Sequence, residues 1–182
     1  MGRGPTVFLD RDGTINRDRP GYVKRWEEFE FLPGALGALR RLADLGAEVI
    51  VVTNQSAVGR GLASQEAVED IHRRMIAEAE AGGGRISKAF FCPHAPWEGC
   101  GCRKPKPGLL VRAAEEFGVD LARAFMVGDA PADMEAALAA GCRPVWISQD
   151  GRGAGGPLAA IPRVRDLRQA ALLIESFAIE GR

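Results

Sequence analysis

The sequence predicts an α/β fold in which helices cover both faces of a parallel sheet. Three observations carry that expectation. Short apolar runs rich in Val, Ile and Phe recur along the chain, stretches of helical periodicity lie between them, and no repeat or linker divides residues 1–182. One domain is therefore expected, with strands buried on both sides of the sheet.

The elements follow in order. Thr6–Leu9 reads as a buried strand, too short and too β-rich to be a helix. Thr14–Pro33 is irregular, and its Trp26, Phe29 and Phe31 suit packing beneath a loop better than an apolar lid. In Ala35–Leu45 the residues Ala35, Leu36, Leu39, Leu42, Ala43 and Leu45 fall mostly on one helical face, and Gly46 ends the helix. Glu48–Val52 is the second strand. Ser64 suits the N-cap of a helix over Gln65–Ala81, which Gly82-Gly-Gly stops. Ala89–Phe91 is the third strand, and Pro93–Gly108 the second irregular segment. Pro107 suits the first turn of a helix over Leu109–Phe117. Phe125–Val127 and Val145–Ile147 are strands, with a helix at Met134–Ala140 between them. A Gly/Pro-rich loop, Gly151–Pro162, leads to a last helix at Leu167–Phe177. Irregular segments as long as 14–33 and 93–108 are uncommon in a compact domain unless they serve a site.

Charge and composition narrow the class. The 24 basic and 24 acidic side chains are interspersed, so no basic stripe points to nucleic acid and no charged block to a disordered tail. No apolar run is long enough to cross a bilayer. Met1-Gly-Arg-Gly-Pro5 lacks a signal-peptide apolar region, so a cytoplasmic protein, most simply a monomer, is expected. The last four residues, Ile179-Glu-Gly-Arg182, match a protease recognition sequence, and read equally as a native end or a cloning remnant.

Three of the four cysteines cluster. Cys92, Cys100 and Cys102 lie with His94 in one loop, in the pattern Cys-x-His…Cys-x-Cys, which reads as metal binding in a reducing compartment. Four such ligands with no spare position suit closed, structural zinc at loop 92–102. Buried free cysteines are the alternative, and a loop holding Pro93, Pro96, Gly99 and Gly101 makes it the poorer one. Cys142 has no neighbour and reads as a small core residue; His72, mid-helix, reads as a surface or packing histidine.

Ligands of open α/β sheets bind outside the carboxyl ends of the strands. The positions there are Asp10 with Asp12, Thr53 with Asn54, and Asp129 with Asp133. Two carboxylates one residue apart repel unless a cation or a shared proton lies between them. Magnesium accepts carboxylate, carbonyl and water ligands and shares its shell with substrate phosphate. Thr53 offers a hydroxyl, and Arg103-Lys104 offers cations for phosphate oxygens. Each feature has a plain structural reading alone: Asp-Gly is a common turn pair, and Arg-Lys is usually solvated.

In joint order, Asp10-x-Asp12, Thr53, Lys104 and Gly128-Asp129 with Asp133 resemble the haloacid dehalogenase superfamily of phosphohydrolases, and the match runs over Val7–Asp133. The resemblance implies its Rossmann-like fold, here with no segment long enough for a large cap. It implies Asp10 as nucleophile, Asp12 as general acid and base, and Thr53 and Lys104 on the phosphoryl group. It further implies magnesium on Asp10, the Asp12 carbonyl and Asp129, with Asp133 behind Lys104 or a metal-bound water. Asp10–Asn16, Gly21-Tyr-Val, Thr53-Asn-Gln-Ser, Cys92-Pro-His and Cys102-Arg-Lys-Pro-Lys-Pro-Gly are similar to the heptose-bisphosphate phosphatases within that superfamily. That narrower likeness implies a small phosphorylated sugar as substrate, in nucleotide-heptose and lipopolysaccharide synthesis. Its contacts would be Arg19, Gly21, Tyr22, Asn54, Gln55, Ser56 and Arg103. The sequence departs from that pattern at Arg19-Pro20, where the usual segment has one histidine, and at Ala130, where lysine is common. Histidinol-phosphate phosphatases share the cysteine loop, phosphomutases share the nucleophile, and a non-catalytic zinc-stabilised interaction module is the rival from another class.

Overall fold

The computed structural model describes residues 4–148 and 156–180. Six parallel strands form one sheet: β1 Thr6–Leu9, β2 Glu48–Asn54, β3 Lys88–Cys92, β4 Phe125–Gly128, β5 Arg143–Ile147 and β6 Arg163–Val164, in the order β3-β2-β1-β4-β5-β6. The helices are α1 Ala35–Asp44, α2 Gln65–Ala81, α3 Gly108–Phe117, α4 Pro131–Ala140 and α5 Leu167–Glu180. None of them is long and apolar enough to cross a membrane.

Side-chain alternation along the central strands builds the two cores. Val7, Leu9, Val49 and Val51 point to one face, where Leu39 and Leu42 of α1, Met75 of α2 and Ile174 of α5 cover them. Phe8, Ile50, Val52 and Met126 point to the other, against Leu109 and Leu110 of α3 and Ala137 of α4. Every one of these side chains is fully buried or nearly so. Leu9 pairs with Val51 on one side and Val127 on the other. The order reverses at β1, so the crevice past its carboxyl end is the expected ligand position for this topology.

Cap chemistry sets several boundaries. Ser64 Oγ accepts from Ala67 N at 3.1 Å, as its position before α2 predicts. Helix α4 starts three residues before Met134, with Pro131 in its first turn, because Asp133 Oδ2 takes the Ala130 N–H at 3.0 Å and closes the helix start. Pro107 occupies the cap of α3, one place ahead of the first turn it was expected in. Strand β6 is not among the expected elements; its two residues pair with Trp146 and Ile147, and Val164 O accepts from Ser148 N at 2.8 Å. Of the loop Gly151–Pro162, residues 151–155 lie outside the described residues, and Gly156–Ala160 forms a 3-10 turn. Residues 181–182 of the terminal tetrapeptide lie outside them too, while Ile179 and Glu180 end α5.

Both long irregular segments leave the carboxyl edge of the sheet. Between β1 and α1 there is one 3-10 turn, Trp26–Glu28, and between β3 and α3 another, Pro96–Glu98. Neither amounts to a cap. Trp26 stacks on Phe29 at 4.9 Å, and Phe29 meets Phe31 edge-on at 5.0 Å, all three packed against the core as the packing reading has it.

Candidate active site

The loop after β1 is wound around one residue. Arg11 O accepts from Ile15 N at 2.8 Å, Asn16 N at 3.1 Å and Thr14 N at 3.3 Å. Gly13 is needed twice over, since its φ is +78° and an added Cβ would lie 2.0 Å from Asp129 Oδ2. Asp10 N donates to Val127 O at 2.9 Å, which fixes the first carboxylate between β1 and β4.

Lys104 reaches this point from the other long loop. Its Nζ donates to Asp10 Oδ1 and Val52 O, both at 2.8 Å, and pairs with Asp133 Oδ1 at 2.6 Å. All three ammonium protons are thereby used, inside a pocket that leaves the lysine 3 % exposed. Burial alone would favour the neutral amine, but the charges of Asp10 and Asp133 outweigh it and hold the lysine pKa above its usual range. The Lys104–Pro105 peptide is cis.

One cation faces three carboxylates. Oxygens of Asp10, Asp129 and Asp133 lie within 4.8 Å of one another. Burial pushes Asp10 up to about 6 against the pull of Lys104, with Asp133 and Asp12 adding to the rise. Burial and the same crowding, from Asp10 and Asp133, push Asp129 up to about 7. A cluster this short of positive charge, all oxygen, fits a magnesium ion. Asp133 gives one oxygen to Lys104 and the other to Ala130 N, so Asp10 and Asp129 remain the freer ligands.

Asp12 belongs to a different network. Its Oδ1 accepts from Arg11 Nη2 and Asn16 Nδ2 at 2.9 Å, and its Oδ2 from Gln55 Nε2 at 2.8 Å. Burial would raise this carboxyl, but the Arg11 charge and these hydrogen bonds hold it below the usual range. Its side chain is committed to these three partners.

Some expected substrate contacts are spent within the protein. Asn54 donates to Lys104 O at 3.0 Å and accepts from Lys104 N at 3.1 Å, so its amide clamps the lysine's backbone. Gln55, buried, also donates to Thr53 Oγ1 at 3.0 Å and so ties two site residues together. The Thr53 hydroxyl keeps its own proton to donate. Ser56 is buried beside them, while Arg19 lies at the surface with Glu30 at 3.9 Å. Gly21 is exposed and Tyr22 half-buried, with a φ of +63° unusual for a non-glycine residue. Arg103 is half-buried, its Nη1 3.5 Å from His94 O.

The cysteine loop brings its four ligands together. Cys102 Sγ lies 3.2 Å from Cys92 Sγ and 3.3 Å from His94 Nδ1, and Cys92 and Cys102 each lie 3.5 Å from Cys100 Sγ. Tetrahedral bonds of about 2.3 Å place ligand atoms roughly 3.7 Å apart, so the set fits zinc. Cys142 is buried in the α3–α4 core, away from this group.

Sequence reasoning missed Arg11 and Asn16, while His72, read as a surface or packing histidine, is buried and packs against Phe91. Arg11 is wholly buried, and its Nη1 faces His72 Nε2 at 3.2 Å. The signal for His72 was its place in the stripe Val68, Ile71, His72, Met75, Ala79, which α2 buries entirely.

Residues 3–141 match the family described as haloacid dehalogenase-like hydrolase. The D-glycero-beta-D-manno-heptose-1,7-bisphosphate 7-phosphatase of Pseudomonas putida is 43% identical over 81% of this chain and 83% of its own. The protein of that name from Escherichia coli K12 is 40% identical over 75% and 74%. A crystal structure of D,D-heptose 1,7-bisphosphate phosphatase from B. bronchiseptica, complexed with magnesium and phosphate, is 38% identical, covers 96% of this chain and 99% of its own, and superposes with a TM-score of 0.88.

Proposed function

The chain belongs to the haloacid dehalogenase-like hydrolases, and from that membership we propose that it removes the 7-phosphate of D-glycero-D-manno-heptose 1,7-bisphosphate. The observation that carries the reading is Asp10, placed at the reversal of the strand order, paired with Lys104 and crowded by Asp129 and Asp133. The relatives' shared name supports the substrate and its β anomer; the pathway we propose is nucleotide-heptose and lipopolysaccharide synthesis.

An Asp10 carboxylate oxygen attacks phosphorus, the bond from phosphorus to the sugar O7 breaks, and the departing oxygen takes a proton from Asp12. Asp12 stands ionised in its network, so it first gains that proton when the negative charge of a bound phosphate raises its affinity for one. Water then attacks the aspartyl-phosphate, Asp12 takes the water's proton, and Asp10 is released with inorganic phosphate. Magnesium held by Asp10, Asp129 and the Asp12 carbonyl supplies charge neutralisation for the phosphoryl oxygens. The Thr53 hydroxyl donates to the same oxygens, and Lys104, its three protons held by Asp10, Val52 O and Asp133, adds its positive charge beside them. Zinc in the Cys92, His94, Cys100 and Cys102 set fixes the loop that carries Arg103 and Lys104. Arg103 faces the second phosphate.

The test is phosphate release from heptose 1,7-bisphosphate with magnesium, expected to leave the 1-phosphate. Asp10→Asn should show no turnover, because an amide does not attack phosphorus. Release of the 1-phosphate instead, or a variant keeping a tenth of wild-type kcat, which is only ~1.4 kcal/mol of barrier, would overturn the assignment.

A further inference from the structure

We propose that His72 is a positioning residue for this reaction: its imidazole holds Arg11, and through Arg11 it fixes the carboxylate of Asp12. The proposal rests on the phosphatase reading and on Asp12 as the group that exchanges protons.

Arg11 is the largest fully buried side chain among the described residues and carries a charge. A buried guanidinium needs acceptors for its N–H groups, because it has no lone pair to offer and cannot be discharged. Asp12 Oδ1 takes two of these donors, Nε at 3.3 Å and Nη2 at 2.9 Å. The third contact is His72 Nε2, at 3.2 Å from Nη1. Arg11 can only donate, so Nε2 must carry the lone pair and Nδ1 the proton. The ring cannot swing away: α2 buries it to 5 % exposure, and Phe91 of β3 meets it edge-on at 5.5 Å. Burial, with the Arg11 charge beside it, pushes His72 down to about 3, which keeps it an acceptor at neutral pH.

The consequence lies at Asp12. Gln55 holds one of its oxygens and Asn16 shares the other, but Arg11 alone supplies charge. Without the imidazole, the guanidinium loses an acceptor and is free to tilt, and the angle of the carboxylate toward the leaving oxygen goes with it. A histidine that merely fills space could be replaced by leucine without that effect. Proton delivery matters most when the leaving group is a poor one, as a sugar alkoxide is and p-nitrophenolate is not.

The experiment compares His72→Leu and His72→Gln in the full chain, with heptose 1,7-bisphosphate and with p-nitrophenyl phosphate. For His72→Leu, kcat on the sugar phosphate should fall roughly 10-fold, as loss of a charge-assisted hydrogen bond implies, with KM within about 2-fold. The loss on p-nitrophenyl phosphate should be several-fold smaller. His72→Gln, whose amide oxygen accepts, should recover most of the rate. Equal losses on the two substrates, or a glutamine variant no better than leucine at wild-type Tm, would overturn the proposal. Should the leucine variant not fold, nitrogen NMR of the wild-type protein decides, since the chain has only 2 histidines and His94 is in the metal loop. An unprotonated Nε2 on His72 is expected, and a protonated one sinks the idea. Wild-type inactivity on both esters would remove the enzymatic reading, and this proposal with it.

Discussion

Asp10 and Asp129 bind protons more readily than ordinary carboxylates, and a metal ion would compete with those protons. Their carboxyls rise to about 6 and about 7 in the folded chain, by burial first and by mutual crowding second. Between the ordinary carboxylate range and those values the metal-free fold binds more protons than the unfolded chain, so its stability from these groups falls as pH rises through that window. Magnesium relieves the repulsion only once the protons have left. The rise in Tm that magnesium produces should therefore be small at pH 5.5 and grow toward pH 8, as thermal melts with and without the ion would show. His72, pushed down to about 3, works the other way on the metal-free protein, costing stability as pH falls below 6.5. It enters both melts alike and cancels in the increment. A magnesium increment that shrinks with rising pH would exclude the Asp10–Asp129 cluster as the ion's site. At this scale the sequence was readable where a residue's place on the chain is its role: Asp10, Asp129 and Lys104 stand at strand ends or in a motif. Asn54 was not, because nothing along the chain says that the main chain of Lys104, 50 residues on, lies within reach of its amide.

Elements were legible in proportion to their cap signals. Helix α2 runs from Gln65 to Ala81 as Ser64 and Gly82 predict, since both caps are spelled in the chain. Strand β2 runs two residues past Val52, through Thr53 and Asn54, because polar side chains at a functional strand end look like loop. Strand β6, two residues long, has no periodicity to read. The loop from Pro93 to Gly108 has no apolar core of its own, and the Cys92, His94, Cys100 and Cys102 set takes that place. Elemental analysis should find about one zinc per chain. Cys100→Ser should lower the zinc content and cost about 2–3 kcal/mol, or a Tm lower by roughly 5–10 °C at this size. Its KM should rise as Arg103 and Lys104 shift. A variant with full Tm and KM, from wild-type protein free of zinc, would reject the structural role.

At the scale of the whole molecule, alternation of strands and helices made the parallel sheet readable, but the order of its strands depends on which crossovers turn back, and no local pattern records that. The order matters for substrate choice. It puts the loops after β1, β2 and β3 on one rim, and among the described residues no cap closes over them. The leaving group must then be recognised by side chains of that rim. Asn54 and Gln55 are already engaged with Lys104, Thr53 and Asp12, so we propose Arg103, whose Nη1 lies 3.5 Å from His94 O, as the cation that meets a second phosphate bidentately. One such contact is worth ~1.5–3 kcal/mol, or roughly 10- to 150-fold in kcat/KM. Heptose 1,7-bisphosphate should therefore exceed both heptose 7-phosphate and histidinol phosphate by at least the lower margin. Arg103→Ala should close most of that gap by slowing the bisphosphate, while the two monophosphates change little, because in the proposed mechanism their reacting phosphate meets the Thr53 hydroxyl, the Lys104 charge and magnesium. Steady-state kinetics on the three substrates measures this directly. If Arg103→Ala slowed all three alike, Arg103 would belong to the reacting phosphate; if histidinol phosphate were the best substrate, the heptose assignment would fall while Asp10 kept its role.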